Sequence, residues 1–276
     1  MADRPLRLLI LGAHPDDADY AAGGTAALYR GLGHEVRMIS MTNGDAGHHI
    51  TKGAPLAKIR KAEAAAAGAV IGAAYDVFEN HDGELMPTLA NRWQIIALFR
   101  SYKPDLVLTH RPNDYHPDHR YTSQLAQDAA FMVTVPAVVP GVPHLSKDPV
   151  IAYLPDDFQR PYPLTPDVVV DVGPVVDKIV AMLNQHQSQF YEWLPFNRGD
   201  IDQVPASAQD RLVWLDKQIR DRLRVRANKY RSLLIEQYGK AHGERVEFAE
   251  AFEGCEYGSP LDAAARRRLF PFVKPV

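Results

Sequence analysis

Arg7-Leu8-Leu9-Ile10-Leu11-Gly12-Ala13-His14-Pro15-Asp16-Asp17 joins an unbroken apolar stretch to an imidazole and two adjacent carboxylates. A stretch that is apolar at every position, rather than at every second one, reads as a strand covered on both faces, as in a parallel sheet. Asp105-Leu106-Val107-Leu108-Thr109 repeats the pattern, and His116-Pro117-Asp118-His119 follows it. In an open α/β sheet, ligands collect outside the carboxyl ends of the strands, where strand order reverses. Both polar runs fall there. In a doubly wound sheet whose first strand neighbours its fourth, two runs distant in sequence meet around one ion.

Outward from these runs, strand and helix signals alternate. Residues 18–30 read as helix, 35–41 as strand, 56–70 as helix and 75–78 as strand. Residues 90–102 form the expected crossover helix, and 117–131 a helix with Pro117 at its first position, where proline is favoured. Residues 150–154 and 168–172 read as further strands. The expected fold is α/β, a Rossmann-like, mostly parallel sheet with helices on both faces and a helical C-terminal region. Residues 1–172 make the metal-binding catalytic core, and 173–276 a helical region packed on it rather than an independent unit.

Within the core, prolines are dense from 136 to 166, with Tyr153, Phe158 and Tyr162 interleaved. This stretch reads as an entrance to the site or as a surface connection. Further on, Leu212, Leu215, Ile219 and Leu223 recur at helical spacing, followed by Tyr230 and Leu234. The interleaved Arg220, Arg222, Arg224, Arg226 and Arg231 are interrupted by Asp216, Asp221 and Glu236. That alternation reads as a solvated helix face rather than a nucleic-acid surface.

Composition narrows the class. A chain of 276 residues, 46% hydrophobic and 24% charged, is ordinary for a globular enzyme with a sizeable core. Its net charge of -3 makes no case for a nucleic-acid partner. Cys255 is the only cysteine, so neither an internal disulfide nor a cysteine-rich metal site is available. The apolar run from Leu8 is too short for a membrane span and leads into polar residues rather than a cleavage site, so a cytoplasmic protein is expected. Gly12, Gly23 and Gly24 do not form a dinucleotide fingerprint, and no Walker-type lysine follows them.

Positions i and i+3 of a first helical turn share a face, which lets His14 and Asp17 bind one cation while Asp16 points elsewhere. His116 and His119 have the same spacing. Imidazole and carboxylate without thiolate suit Zn²⁺ best, with Fe²⁺ or another divalent first-row ion also compatible. Catalytic zinc commonly keeps three protein ligands and one open position. One of His14, Asp17, His116 and His119 is therefore surplus, and spacing leaves open which. Either run alone would also serve as a helix start with its acids on the helix dipole. Two such runs, each at a strand end, favour the metal.

Ala13-His14-Pro15-Asp16-Asp17 together with His116-Pro117-Asp118-His119 resembles the LmbE-like deacetylases, which include N-acetylglucosaminyl-phosphatidylinositol de-N-acetylase. Thr42-Asn43-Gly44-Asp45-Ala46-Gly47, Arg60 and Glu63, and Glu256-Tyr257-Gly258 extend the likeness over most of the chain. The resemblance implies His14, Asp17 and His119 as zinc ligands, Asp16 as general base, and His116 as the residue facing the oxyanion and leaving amine. Asp118 would orient His116 or tune its pKa. Arg60 and Asp82 would hold the sugar hydroxyls, unless Arg60 pairs with Glu63 along its helix. Asn43 and Asp45 would contact substrate or stabilise their turn. One departure stands out: many members have Glu after the two aspartates, whereas Ala18 stands here and Asp19 follows.

Other histidines carry weaker signals. His48 and His49 lie in a glycine-containing loop on the carboxyl side of the sheet, open to substrate contact. His34, His144 and His242 read as surface residues, His110 as a local hydrogen-bonding group, and His186 as a family-like feature without a defined role. The function expected is a zinc-dependent N-deacetylase, a hydrolase that frees acetate and an amine from an N-acetylglucosamine-type sugar or glycoconjugate. The alternatives are a metal amidase for a non-sugar substrate and a non-catalytic metal-holding binding protein, which would not need Asp16. The expected partner is that small molecule, with no nucleic acid and no membrane span; a homo-oligomer is compatible.

Overall fold

A computed structural model describes residues 4–273. Seven strands form one mixed sheet in the order β3-β2-β1-β4-β5-β7-β6. They are β1 (Arg7–Gly12), β2 (Glu35–Thr42), β3 (Ala74–Asn80), β4 (Leu106–Thr109), β5 (Val150–Tyr153), β6 (Val168–Asp171) and β7 (Ala249–Gly254). Neighbours from β3 through β5 run parallel, and β7 runs antiparallel to both β5 and β6.

The apolar runs alternate between two cores. Leu8, Ile10, Leu106 and Leu108 pack with α1 (Asp17–Gly31), α2 (Ala54–Ile71), and helices from the second half of the chain. Leu9, Leu11 and Val107 face the other way, onto α3 (Leu89–Tyr102) and α4 (Pro117–Met132). Each leucine so buried contributes roughly 2 kcal/mol. This is the α/β, Rossmann-like sheet with helices on both faces that the two apolar runs required.

β1 lies between β2 and β4, with Leu11 beside Thr109, so the segments leaving β1 and β4 emerge side by side. That register brings His14 and His119 to one place although 105 positions separate them.

The second half differs from the sequence expectation in two respects. After α5 (Val176–Leu183) and α6 (Leu194–Arg198), the long helix stops at Tyr230, where φ is -109 and ψ 28, dividing α7 (Ala208–Lys229) from α8 (Arg231–Tyr238). More consequentially, this region supplies β7, which inserts between β5 and β6. Its sequence, Ala249-Glu250-Ala251-Phe252-Glu253-Gly254, carries no β-branched residue and places an acid where the core lies. Glu250 is buried because it has work there: it accepts hydrogen bonds from Gly24 N, Thr25 N and Thr25 Oγ1 at 2.7–2.8 Å. α1 is kinked at Ala22 (φ -141, ψ 19), which frees those amides from the helical ladder. Among the described residues, no helix is long and apolar enough to cross a membrane.

Candidate metal centre

The chain turns sharply after β1. Asp16 N and Asp17 N both donate to His14 O, and Asp17 Oδ2 accepts from Ala13 N at 2.9 Å and His14 N at 2.7 Å. Gly12 is required at the start of this turn, since a Cβ there would stand 2.7 Å from Asp17 Cβ. The two runs reach the site differently from the shared helical spacing expected of them. α1 begins only at Asp17 with Asp16 in the cap position, so His14 lies in the preceding turn. His116 is itself the cap of α4, its Nδ1 accepting from Asp118 N, and His119 sits within the first turn.

Three donor atoms converge. His14 Nδ1 is 3.2 Å from His119 Nε2 and 3.4 Å from Asp17 Oδ2, and His119 Nε2 is 3.5 Å from that same oxygen. Ligands about 2.1 Å from a tetrahedral metal stand about 3.4 Å from one another. The triangle therefore has the size of one face of such a site. Supporting groups surround it. His119 Nδ1 lies 3.1 Å from Asp114 Oδ1, and His110, stacked on His119 with ring centroids 3.9 Å apart, places Nε2 3.2 Å from Asp17 Oδ2. A carboxylate behind a ligating imidazole fixes its orientation and raises its basicity.

Electrostatics follow from this crowding. Burial alone would lift Asp17, but His119 and His110 outweigh it and hold the carboxyl well below its usual range. His14 is lifted well above its ordinary value, burial being overcome by Asp118, Asp17 and Asp82. Only Asp17 stands at Nδ1; Asp118 and Asp82 hold Nε2 at the other edge of the ring, the arrangement that orients an imidazole for ligation through Nδ1. Asp16 is pushed up to about 6, first by burial and then by Asp17 beside it. Its Oδ1 is buried without a hydrogen-bond partner among the described residues.

His116 adjoins the triangle: a ring nitrogen lies within 4.8 Å of ligand atoms of His14 and His119, and its ring centroid is 4.5 Å from that of His14 and 5.4 Å from that of His119. Asp118 is fully buried, accepts from Gly83 N and Leu85 N, and sets Oδ2 3.3 Å from His14 Nε2. The same oxygen is 4.0 Å from His116 Nδ1, so its closer imidazole is His14 rather than the His116 expected from sequence. Asp82 Oδ1 also meets His14 Nε2, at 3.1 Å. Arg60 is buried beside Asp82 in a cavity that includes His14 and His116; it donates to Gly47 O and leaves Nε without a partner. Glu63 bonds Ser188 instead of Arg60. Asn43 and Asp45 spend their side chains on the loops: Asn43 Oδ1 accepts from Asp45 N, and Asp45 accepts from Asp82 N and meets His81. Both line a separate surface pocket that includes none of the triangle's residues.

His48, His49 and His186 join the two halves of the chain. His48 pairs with Glu192 at 2.8 Å, and His49 stacks on Phe196. His186, fully buried, meets Asp19 at 2.8 Å beneath Asp16. Asp19 thus has an internal partner, while Ala18 is packed in the core. Sequence reasoning undervalued His110, whose only signal was its place at the end of β4. It also misplaced two arginines. Arg220 and Arg224 pair with Asp216, Asp177 and Asp221 on the solvated side of α7 as expected, but Arg222 and Arg226 turn into the cleft. The physical reason is periodicity: positions i and i+4 share one face, and interruption by acids elsewhere does not change that face.

The cleft also admits Leu154 to Gln159 from the proline-rich stretch and Gln189 from a π-helical turn, Gln189–Trp193. The family model described as PIG-L, GlcNAc-PI de-N-acetylase, matches residues 9–130. This segment is a PIG-L domain. It contains the whole triangle, Asp16, His110, His116 and Asp118. The chain is 27% identical over 204 residues to 4-oxalmesaconate hydratase from Pseudomonas putida, covering 69% of this chain and 79% of that one. To 1D-myo-inositol 2-acetamido-2-deoxy-alpha-D-glucopyranoside deacetylase 1 from Catenulispora acidiphila it is 29% identical over 164 residues, 49% of this chain. It spans about half, 51%, of that relative's length. The solved structure of N,N'-diacetylchitobiose deacetylase from Pyrococcus horikoshii superposes with a TM-score of 0.69 at 22% identity, over 90% of this chain and 83% of that one. That likeness extends the shared fold well beyond the PIG-L domain.

Proposed function

We propose that this protein is a metal-dependent hydrolase that removes the N-acetyl group from an N-acetylglucosamine-type substrate, releasing acetate and a free amine. The observation that carries this reading is the triangle of His14 Nδ1, Asp17 Oδ2 and His119 Nε2, open toward a cleft that Asp16 also lines. Zn²⁺ fits this nitrogen and oxygen set with three protein ligands; Fe²⁺ is the next candidate. Such an ion, when bound, acidifies a water and polarises the acyl oxygen.

The chain's own groups supply the proton traffic. Asp16 takes the proton of the attacking water, a task suited to a carboxylate poised near neutrality. His116 faces the developing oxyanion from beside the triangle and donates a hydrogen bond to it. An amine leaves only once protonated, and Asp16, now acidic, delivers that proton; burial, His14 and His119 hold His116 below its ordinary value, which suits it to the hydrogen bond rather than the proton transfer. Arg60 and Asp82, in the cavity on the far side of His14, hold the sugar hydroxyls. We read 173–276 as an appendage of the PIG-L domain, a reading supported by the insertion of β7 into its sheet, and the protein as cytoplasmic.

The test is a panel of N-acetylated sugars scored for acetate, beside metal analysis of the purified protein. Acetate and amine should appear together in equal amounts. Metal-loaded protein that frees no acetate from any of them would refute the hydrolase. The kinship to a hydratase favours a second reading, addition of water across an activated double bond, which would consume an unsaturated acid with no acetate formed.

A further inference from the structure

We infer that Arg222 and Arg226 form a binding subsite for a carboxylate on the substrate, so that the molecule processed at the triangle is an acid. This rests on the hydrolase reading for what lies at the other end of the molecule, but the subsite itself rests on geometry.

Both arginines line the cavity of about 650 Å³ that also holds His14, Asp16, Asp17 and His119. Arg222 is clamped: its guanidinium lies 3.7 Å over the Tyr20 ring, and one amine donates to Tyr20 O at 2.7 Å. That clamp uses one end of the fork only, and Arg222 Nε is buried without a partner among the described residues. Arg226 Nη1 is in the same condition. The acids near them are engaged or exposed. Glu250 is fully occupied by Gly24 and Thr25, Asp156 pairs with Arg111, and Asp157 lies in the exposed rim of the cavity. Arg220 and Arg224 on the same helix have carboxylate partners, whereas Arg222 and Arg226 have none among the described residues.

Two guanidiniums side by side with unspent donors cost the fold stability through mutual repulsion and lost hydration. Burial and Arg222 together draw Arg226 down to about 10, still charged at neutral pH. A carboxylate relieves both costs, because it accepts from two forks at once. The second cavity, about 280 Å³ and lined by Gly47, Arg60, Asp82 and Asn197, meets the first at His14, Tyr115, Gln189 and Leu194. A substrate with its amide at that junction reaches Arg60 with one half and the arginine pair with the other.

The test compares an N-acetylglucosaminide bearing a carboxylated aglycone with its methyl ester, in wild type, Arg226→Gln, Arg222→Gln and Arg226→Lys. Wild type should prefer the acid by about tenfold or more in kcat/KM, and each glutamine variant should collapse that ratio toward unity. Arg226→Lys, which keeps the charge and the stem, should retain part of the preference. Independently of turnover, succinate titrated into the metal-loaded protein should bind about tenfold more weakly to Arg226→Gln, at unchanged metal content. Equal use of acid and ester, with succinate binding indifferent to Arg226, overturns the subsite and leaves the hydrolase standing. Arginine-dependent succinate binding without acetate release from any substrate does the reverse.

Discussion

The cleft has two walls built on opposite principles. The wall at the sheet ends is a cluster of mixed charge: His14, Asp17, His110, His119, Asp114 and Asp118 are linked by contacts of 3.1–3.5 Å, with Asp16 Oδ1 and His119 Nδ1 left without hydrogen-bond partners among the described residues. The facing wall, on α7, leaves donors of Arg222 and Arg226 unspent. A cluster of mixed charge is prepared for an ion of small radius that slips between its members. An unsatisfied pair of like charge is prepared for a partner that arrives with the substrate. The difference separates the groups that should perform chemistry from those that should choose the molecule, and substitutions on each wall should fail in different ways.

The largest effect is expected from His14→Ala. Loss of one of three ligands should remove the metal and the activity together, measured as metal content per chain and acetate release. A variant that keeps stoichiometric metal would remove His14 from the ligand set. Asp16→Asn should separate the two quantities, retaining metal while turnover falls by roughly a hundredfold or more, the range of a general base. Full turnover in that variant would pass the role of base to another group.

His116→Ala should come next, with metal near the wild-type level and kcat lowered about tenfold to a hundredfold. Its ring stands against His14, close enough to share an ion with His14 and His119, so metal loss in this variant would mean that the ligand set includes it.

The legibility of the two walls differs for the same physical reason. Leu8 to Leu11 and Leu106 to Leu108 are apolar at every position because both faces of their strands are covered, and a polar run after such a strand has few places to go. Fold class, strand order around β1 and the meeting of His14 with His119 all follow from those segments. What sequence left hidden depends on contacts that periodicity does not encode. His110 looks like any strand-end histidine until its ring is seen stacked on His119. Asp118 shares a motif with His116, yet its oxygen turns to His14. Arg222 and Arg226 share a helix with acids that neutralise only their neighbours. β7 was invisible because its buried face carries a glutamate in place of a β-branched residue.

That glutamate yields an effect on stability rather than on turnover and tests whether the two walls are mechanically joined. Glu250 reaches from the C-terminal strand to the kink of α1, the helix whose first residue is Asp17. Removing it as Glu250→Ala orphans two amides and a hydroxyl in a dry interior, which should cost about 2–3 kcal/mol in denaturant unfolding. Burial lifts the carboxyl above its usual range, with the donors of Thr25 and Gly24 offsetting only part. A raised folded value means that the native state holds the proton more tightly than the unfolded chain. Stability from this group is therefore greatest below the unfolded value and declines as pH rises through the folded one. Glu250→Gln keeps one acceptor oxygen but turns an NH2 toward the amide that bonded the other, so at neutral pH it should recover only part of the alanine loss and lose that slope. Equal losses for alanine and glutamine would show that α1 needs both carboxylate oxygens, and no loss in either would show that the kink holds without help from the second half of the chain.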